Sequence, residues 1–168
     1  VDGVLFTGSY DVGLKIKEDT MRQYWKILAL EMGGKNASLI REDADVDKAV
    51  YESLMGSFLT AGQRCSCTSI IFLHEKVYNE FLDKFYEAAK KIKVGHWSDE
   101  TAFMGPLIDE ASVEKYLRFQ QIALREGAEC LMRGKKLENS EHEGCYVTPS
   151  IYLMPEFRED SVYLTSEI

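Results

Sequence analysis

The chain has 168 residues, 45% of them hydrophobic and 29% charged, enough to bury a core and too ordered in composition for a disordered or fibrous protein. Its net charge of -8, with no basic run, excludes a nucleic-acid groove and a polybasic membrane contact. No apolar run approaches a membrane span and no signal peptide is visible, so the expected location is cytoplasmic, with the 4 cysteines reduced.

The first element is a β-rich run, Val4-Leu5-Phe6-Thr7, ending in Gly8-Ser9 and followed by an amphipathic stretch with Val12, Ile16 and Met21. Strand, tight turn and helix in this order aim backbone N–H groups and the positive end of a helix dipole at one point, which suits an anionic group. Trp25 to Leu30 reads as a buried strand that delivers Glu31 to Met32-Gly33-Gly34. A carboxylate there either bridges at a loop or serves as a general base whose pKa burial raises.

Asn36 to Ile40 suggests a further strand. Asp43, Asp45 and Asp47 then stand where a helix with Val46, Val50, Leu54 and Phe58 begins, and they read as caps and dipole complements. That helix runs into Gly62-Gln63-Arg64-Cys65-Ser66-Cys67. Cys65 and Cys67 read as small buried hydrophobes unless Cys65 is partly open, in which case it is a candidate nucleophile. Metal binding by Cys65, Cys67, Cys130 and Cys145 lacks a CxxC pair or histidine spacing, so no metal is expected.

Thr68 to Leu73 is a strand, and Val77, Phe81, Phe85, Ala88 and Ile92 mark one face of a long helix packed on a sheet. Gly95-His96-Trp97-Ser98 and Gly105-Pro106 form a loop; Asp109 opens another helix, which Gly127 ends. Cys130 to Met132 reads as a strand, Gly134 to Gly144 as a polar connection, and Tyr146 to Leu153 as a strand interrupted by Pro149. His74, His96 and His142 are placed for surface or capping roles and form no triad. The expected fold is α/β, a mostly parallel sheet flanked by helices.

Phe6-Thr7-Gly8-Ser9, Leu30-Glu31-Met32-Gly33-Gly34-Lys35-Asn36, Gly62-Gln63-Arg64-Cys65 and Gly105-Pro106-Leu107-Ile108, in this order, resemble the aldehyde dehydrogenase superfamily, with Glu31 thirty-four positions before Cys65. Glu167-Ile168 resembles the start of that family's Glu-Ile-Phe-Gly-Pro motif. The resemblance implies residues 1–31 as the tail of a dinucleotide-binding domain and 32–168 as an incomplete catalytic domain, truncated at both ends. It implies Cys65 as nucleophile, Glu31 as general base, and Gly8, Ser9, Gly13 and Glu167 as contacts to NAD or NADP. It implies a small-molecule aldehyde as substrate, a homo-dimer or tetramer for the longer parent, and no activity for this piece alone. Arg64-Cys65-Ser66-Cys67, Leu28 to Gly34 and Gly95 to Glu100 look most like N-succinylglutamate 5-semialdehyde dehydrogenases of arginine catabolism, with glutamate semialdehyde (pyrroline-5-carboxylate) dehydrogenases next. A cysteine hydrolase and a non-catalytic scaffold relative are the alternatives from other classes.

Overall fold

A computed structural model describes residues 1–138 and 142–167. The chain opens with strand β1 (Gly3–Gly8), helix α1 (Tyr10–Thr20) and strand β2 (Ile27–Met32). β1 and β2 are parallel, with Thr7 opposite Glu31 and Gly8 opposite Met32. The same plan repeats at once: β3 (Asn36–Ile40), α2 (Val46–Phe58) and β4 (Thr68–Leu73), with β3 and β4 parallel and Ile40 opposite Leu73. Parallel strands need a long crossover, and the two helices supply it. Helices α3 (Glu75–Ala89) and α4 (Glu110–Arg125) follow, then β5 (Glu129–Met132), β6 (Ile151–Leu153) and the single turn α5 (Val162–Thr165).

Local chemistry sets these boundaries. The Asp45 carboxylate accepts from Lys48 N at 3.0 Å, and that of Asp109 accepts from Ser112 N at 2.8 Å. Each occupies an orphan donor of a helix's first turn, the capping role their positions suggested. His74 caps α3 through Nδ1, which accepts from Lys76 N at 3.3 Å. Past the end of α4, Gly127 has φ +92, a left-handed conformation that costs glycine nothing, and its N–H donates to Leu124 O at 3.2 Å.

The main core lies where α2 and α3 pack on β3 and β4. It joins Ile40, Val50, Val77, Phe81, Phe85, Ala89 and Ile151, and the Phe81 and Phe85 rings stack with centroids 5.5 Å apart. Phe81 is 1% exposed. Phe81→Ala is therefore expected to destabilise the chain by about 3–5 kcal/mol, the transfer loss plus the cavity it leaves. A fall in the denaturant midpoint measures this; an unchanged midpoint would show that the site collapses around the gap. A second cluster of Met104, Val113 and Val147 closes the side where α4 starts.

Three features depart from the sequence reading. The apolar run at Trp25 is not a strand buried on both faces: Trp25 is 60% exposed, and β2 alternates, with Leu28, Leu30 and Met32 half-buried and Ile27, Ala29 and Glu31 exposed. One face of the β1–β2 pair meets α1, and period-two alternation sends Glu31 to the other. The inner face of α1 runs through Gly13, Ile16 and Thr20, leaving Val12 and Met21 outside. Finally, β5 and β6 pair antiparallel, and the strand expected from Tyr146 starts only at Ile151. Tyr146 and Val147 are nonetheless buried. Of the Gly134–Gly144 connection, residues 139–141 lie outside the described residues.

Candidate active site

The loop after α2 splits its two thiols. Cys65 is exposed and Cys67 buried, and all four cysteines are free. Ala61 (φ +53) and Gly62 (φ +74) lie consecutively in the left-handed region and turn the chain out of the helix. No heavy atom lies within 4 Å of where a Gly62 Cβ would stand, so glycine is favoured there by backbone conformation rather than by space. Inside the turn, Cys67 N donates to Arg64 O at 3.0 Å, and the Cys67 Sγ sits 3.3 Å from Thr60 Oγ1. Burial and a hydroxyl partner make Cys67 the structural member of the pair.

Two amides fix the loop from outside. Asn36, at the first position of β3, donates through Nδ2 to Cys65 O at 2.5 Å and to Cys67 O at 3.1 Å. Gln63 donates to Pro106 O at 3.2 Å and accepts from Ile108 N at 2.9 Å. Three of the segments singled out in the sequence thus meet at Cys65. With its carbonyl anchored by Asn36, Cys65 keeps its own N–H without an acceptor among the described residues. A backbone donor left open beside a thiol is what a developing oxyanion requires.

Cys65 borders a cleft of about 670 Å³ that Lys35, Gln63, Arg64, Tyr163 and Glu167 also line. Glu167 reaches back across the chain to the glycine turn after β2: a Cβ at Gly33 would collide with its carboxylate. Two residues before Gly33 stands Glu31, at the end of β2 as the sequence predicts. It is exposed, so the burial expected around it is not present among the described residues. Gly8, Ser9 and Glu31 do not line the cleft. Ser9 is the N-cap of α1, yet its side chain makes no capping hydrogen bond. Gly13 is buried one turn on, where a Cβ would come within 2.5 Å of Met32 Sδ, so it lets α1 lie close on β2.

Lys35 is the unusual titratable group. Burial, with the charge of Lys115 in second place, lowers its pKa from 10.5 to about 8. Its Nζ stands 5.3 Å from the centre of the Tyr163 ring. An NMR titration of methylated lysines is expected to show one resonance, lost in Lys35→Met, with a midpoint near 8 rather than 10.5. The unfolded chain binds this proton more tightly between those two values, so stability from Lys35 rises with pH across that window. Arg64 is exposed and forms no ion pair among the described residues. Sequence reasoning gave Asn36 and Gln63 no role. Their only signal was an amide at a strand's first residue and another beside a cysteine.

A parallel α/β scaffold carrying an open cysteine on a doubly anchored loop defines a class whose solved members superpose on this chain. The betaine aldehyde dehydrogenase of Staphylococcus aureus, solved in complex with NAD+, matches 99% of the chain and 33% of that protein at a TM-score of 0.89 and 30% identity. In sequence, the chloroplastic betaine aldehyde dehydrogenase of Amaranthus hypochondriacus is 40% identical over 151 residues, 90% of this chain and 30% of that one. The alpha-ketoglutaric semialdehyde dehydrogenase of Bacillus subtilis is 35% identical over 153 residues, 90% and 31%. Residues 1–168 match the aldehyde dehydrogenase family throughout, and the chain belongs to that family. It spans about a third of the length of these relatives.

Proposed function

We propose that the whole protein to which this chain corresponds oxidises an aldehyde to a carboxylate with NAD or NADP, and that Cys65 is its nucleophile. The observation that carries this reading is the exposed Cys65, its loop pinned by Asn36 and Gln63, on the same cleft as Glu167. The Cys65 thiolate adds to the aldehyde carbonyl, and the Cys65 N–H donates to the oxyanion that forms. When bound, a nicotinamide cofactor would supply the acceptor for the hydride that this adduct loses, which leaves a thioester on Cys65. Glu31 takes a proton from water, the resulting hydroxide attacks the thioester carbonyl, and the Cys65 sulfur leaves with the carboxylate product released.

The residues present fit such a cofactor. Ser9 keeps its hydroxyl out of helix capping at the start of an eleven-residue helix, beside the exposed Gly8, where an anionic group finds backbone donors. Gly13 holds that helix close, and the Glu167 carboxylate is assigned to the nicotinamide ribose hydroxyls. In this reading residues 1–31 end a dinucleotide-binding domain and 32–168 belong to the catalytic domain.

For the substrate we favour an anionic amino-acid semialdehyde such as N-succinylglutamate 5-semialdehyde of arginine breakdown, because Lys35, Arg64 and Lys115 all line the cleft. For the whole protein we propose a cytoplasmic homo-dimer or tetramer, the expectation carried by the sequence resemblance. No helix among the described residues is long and apolar enough to cross a membrane. The test is a steady-state assay of the whole protein against succinylglutamate semialdehyde, glutamate semialdehyde, alpha-ketoglutaric semialdehyde and betaine aldehyde with each cofactor. The highest kcat/KM is expected for an anionic semialdehyde; preference for betaine aldehyde would overturn the substrate assignment, and no turnover with any aldehyde would overturn the activity.

A further inference from the structure

Glu126 has no part in the chemistry above, yet both its carboxylate oxygens are committed to one distant segment. It is half-buried at the end of α4. Ser161 Oγ donates to Oε2; Val162 N donates to Oε1 at 2.9 Å; Tyr163 N reaches Oε1 at 3.4 Å and Oε2 at 3.3 Å. Ser161 is 2% exposed, and its Oγ in turn accepts from Leu164 N at 3.0 Å. Together these bonds occupy the free N–H groups of α5.

The four residues of α5 cannot hold a helical turn by themselves, because nucleation fixes several residues for a single hydrogen bond. Their conformation is imposed from outside, by Glu126 on one side and by Lys35 over the Tyr163 ring on the other. Two residues past α5 stands Glu167, with its carboxylate against Gly33. Glu126, α5, Glu167 and the glycine turn therefore form one continuous mechanical chain.

We propose that Glu126 is a positioning residue for Glu167, and through it for the nicotinamide cofactor; this rests on the reading that Glu167 holds the cofactor's ribose. Without the carboxylate, α5 loses its N-terminal acceptors and Glu167 samples positions away from Gly33. Cys65, held by Asn36 and Gln63, has no bond to this segment and keeps its geometry.

The test compares Glu126→Ala, Glu126→Gln, Ser161→Ala and Glu167→Gln in the whole protein, reading NAD or NADP affinity by calorimetry, the KM for cofactor and for aldehyde, and the rate of Cys65 alkylation by iodoacetamide. Glu126→Ala is expected to weaken cofactor binding about fivefold, the order of a lost helix cap, with Cys65 alkylation unchanged. Glu126→Gln, which retains an acceptor oxygen, restores at least half of the loss. If Glu126→Ala does not fold, Ser161→Ala carries the comparison with a smaller effect in the same direction. Parent-like cofactor affinity in these variants while Glu167→Gln is impaired overturns the role of Glu126 alone. Parent-like affinity and turnover in Glu167→Gln overturns the Glu167 reading and this inference with it.

Discussion

Replacing Cys65 by serine in the whole protein is expected to lower aldehyde oxidation on the order of 10³-fold or more while cofactor affinity stays within about twofold of the parent. The effect is large because one atom does two jobs that oxygen does poorly here. A serine hydroxyl is far less ionised than a thiol near neutral pH, and an ester is a poorer acyl carrier than a thioester. The loop itself tolerates the change: Cys65 is exposed, and the bonds that shape the turn are made by its backbone and by Cys67, Gln63 and Asn36. A parent-like denaturant midpoint is therefore expected alongside the lost activity. Cys67→Ser makes the opposite contrast, because Cys67 is 8% exposed and packs beside Thr60. Activity surviving in Cys65→Ser and vanishing in Cys67→Ser would move the nucleophile to the buried thiol.

Glu31→Gln is the second large effect, expected at about 10²- to 10⁴-fold on turnover, the range for removing a general base. The two half-reactions separate its role from that of Cys65. Acylation does not use Glu31 as base in the mechanism above, so a pre-steady-state burst of reduced cofactor persists, and Cys65 accumulates as a thioester that mass spectrometry of the intact protein detects. Loss of the burst would instead place Glu31 before the thioester. Adding His96→Ala tests the cysteine hydrolase alternative: thioester hydrolysis lost in His96→Ala and kept in Glu31→Gln would favour it. The surroundings of His96 do not suggest a base, since its Nδ1 is 2.8 Å from Ser98 Oγ and its ring stacks on His142 at 4.2 Å.

Much of this architecture is legible where the signal is local. Asp45 and Asp109 announce helix starts because a short carboxylate reaches its own helix's N–H groups, and Gly127 announces a stop because few other residues adopt its φ. The helix carrying Val77, Phe81 and Phe85 is legible from periodicity, since burial selects one face. Non-local relations are not. The exposure of Glu31 depends on which face α1 covers, and a short apolar run reads alike whether one or both faces are buried. The antiparallel pairing of β5 and β6 is likewise a tertiary outcome. At the site, Cys65, Glu31 and Glu167 drew attention through family-like motifs. Asn36 was only part of a motif, because an amide that bonds a loop 29 residues away leaves no pattern in its own neighbourhood.

The grip of Gln63 on Pro106 and Ile108 spans 43 and 45 residues of chain. Contacts of that separation form late, because the entropy of closing the intervening loop is spent before they repay it. During folding, the helix and strand on either side of the cysteine turn can therefore assemble while Cys65 still lacks its final setting. Its reactivity is then expected to report on completion, since the turn that carries it is held from the Gln63 side only once the Pro106 segment has docked. A time course of Cys65 labelling during refolding would follow that final step in a way that bulk helix signals do not.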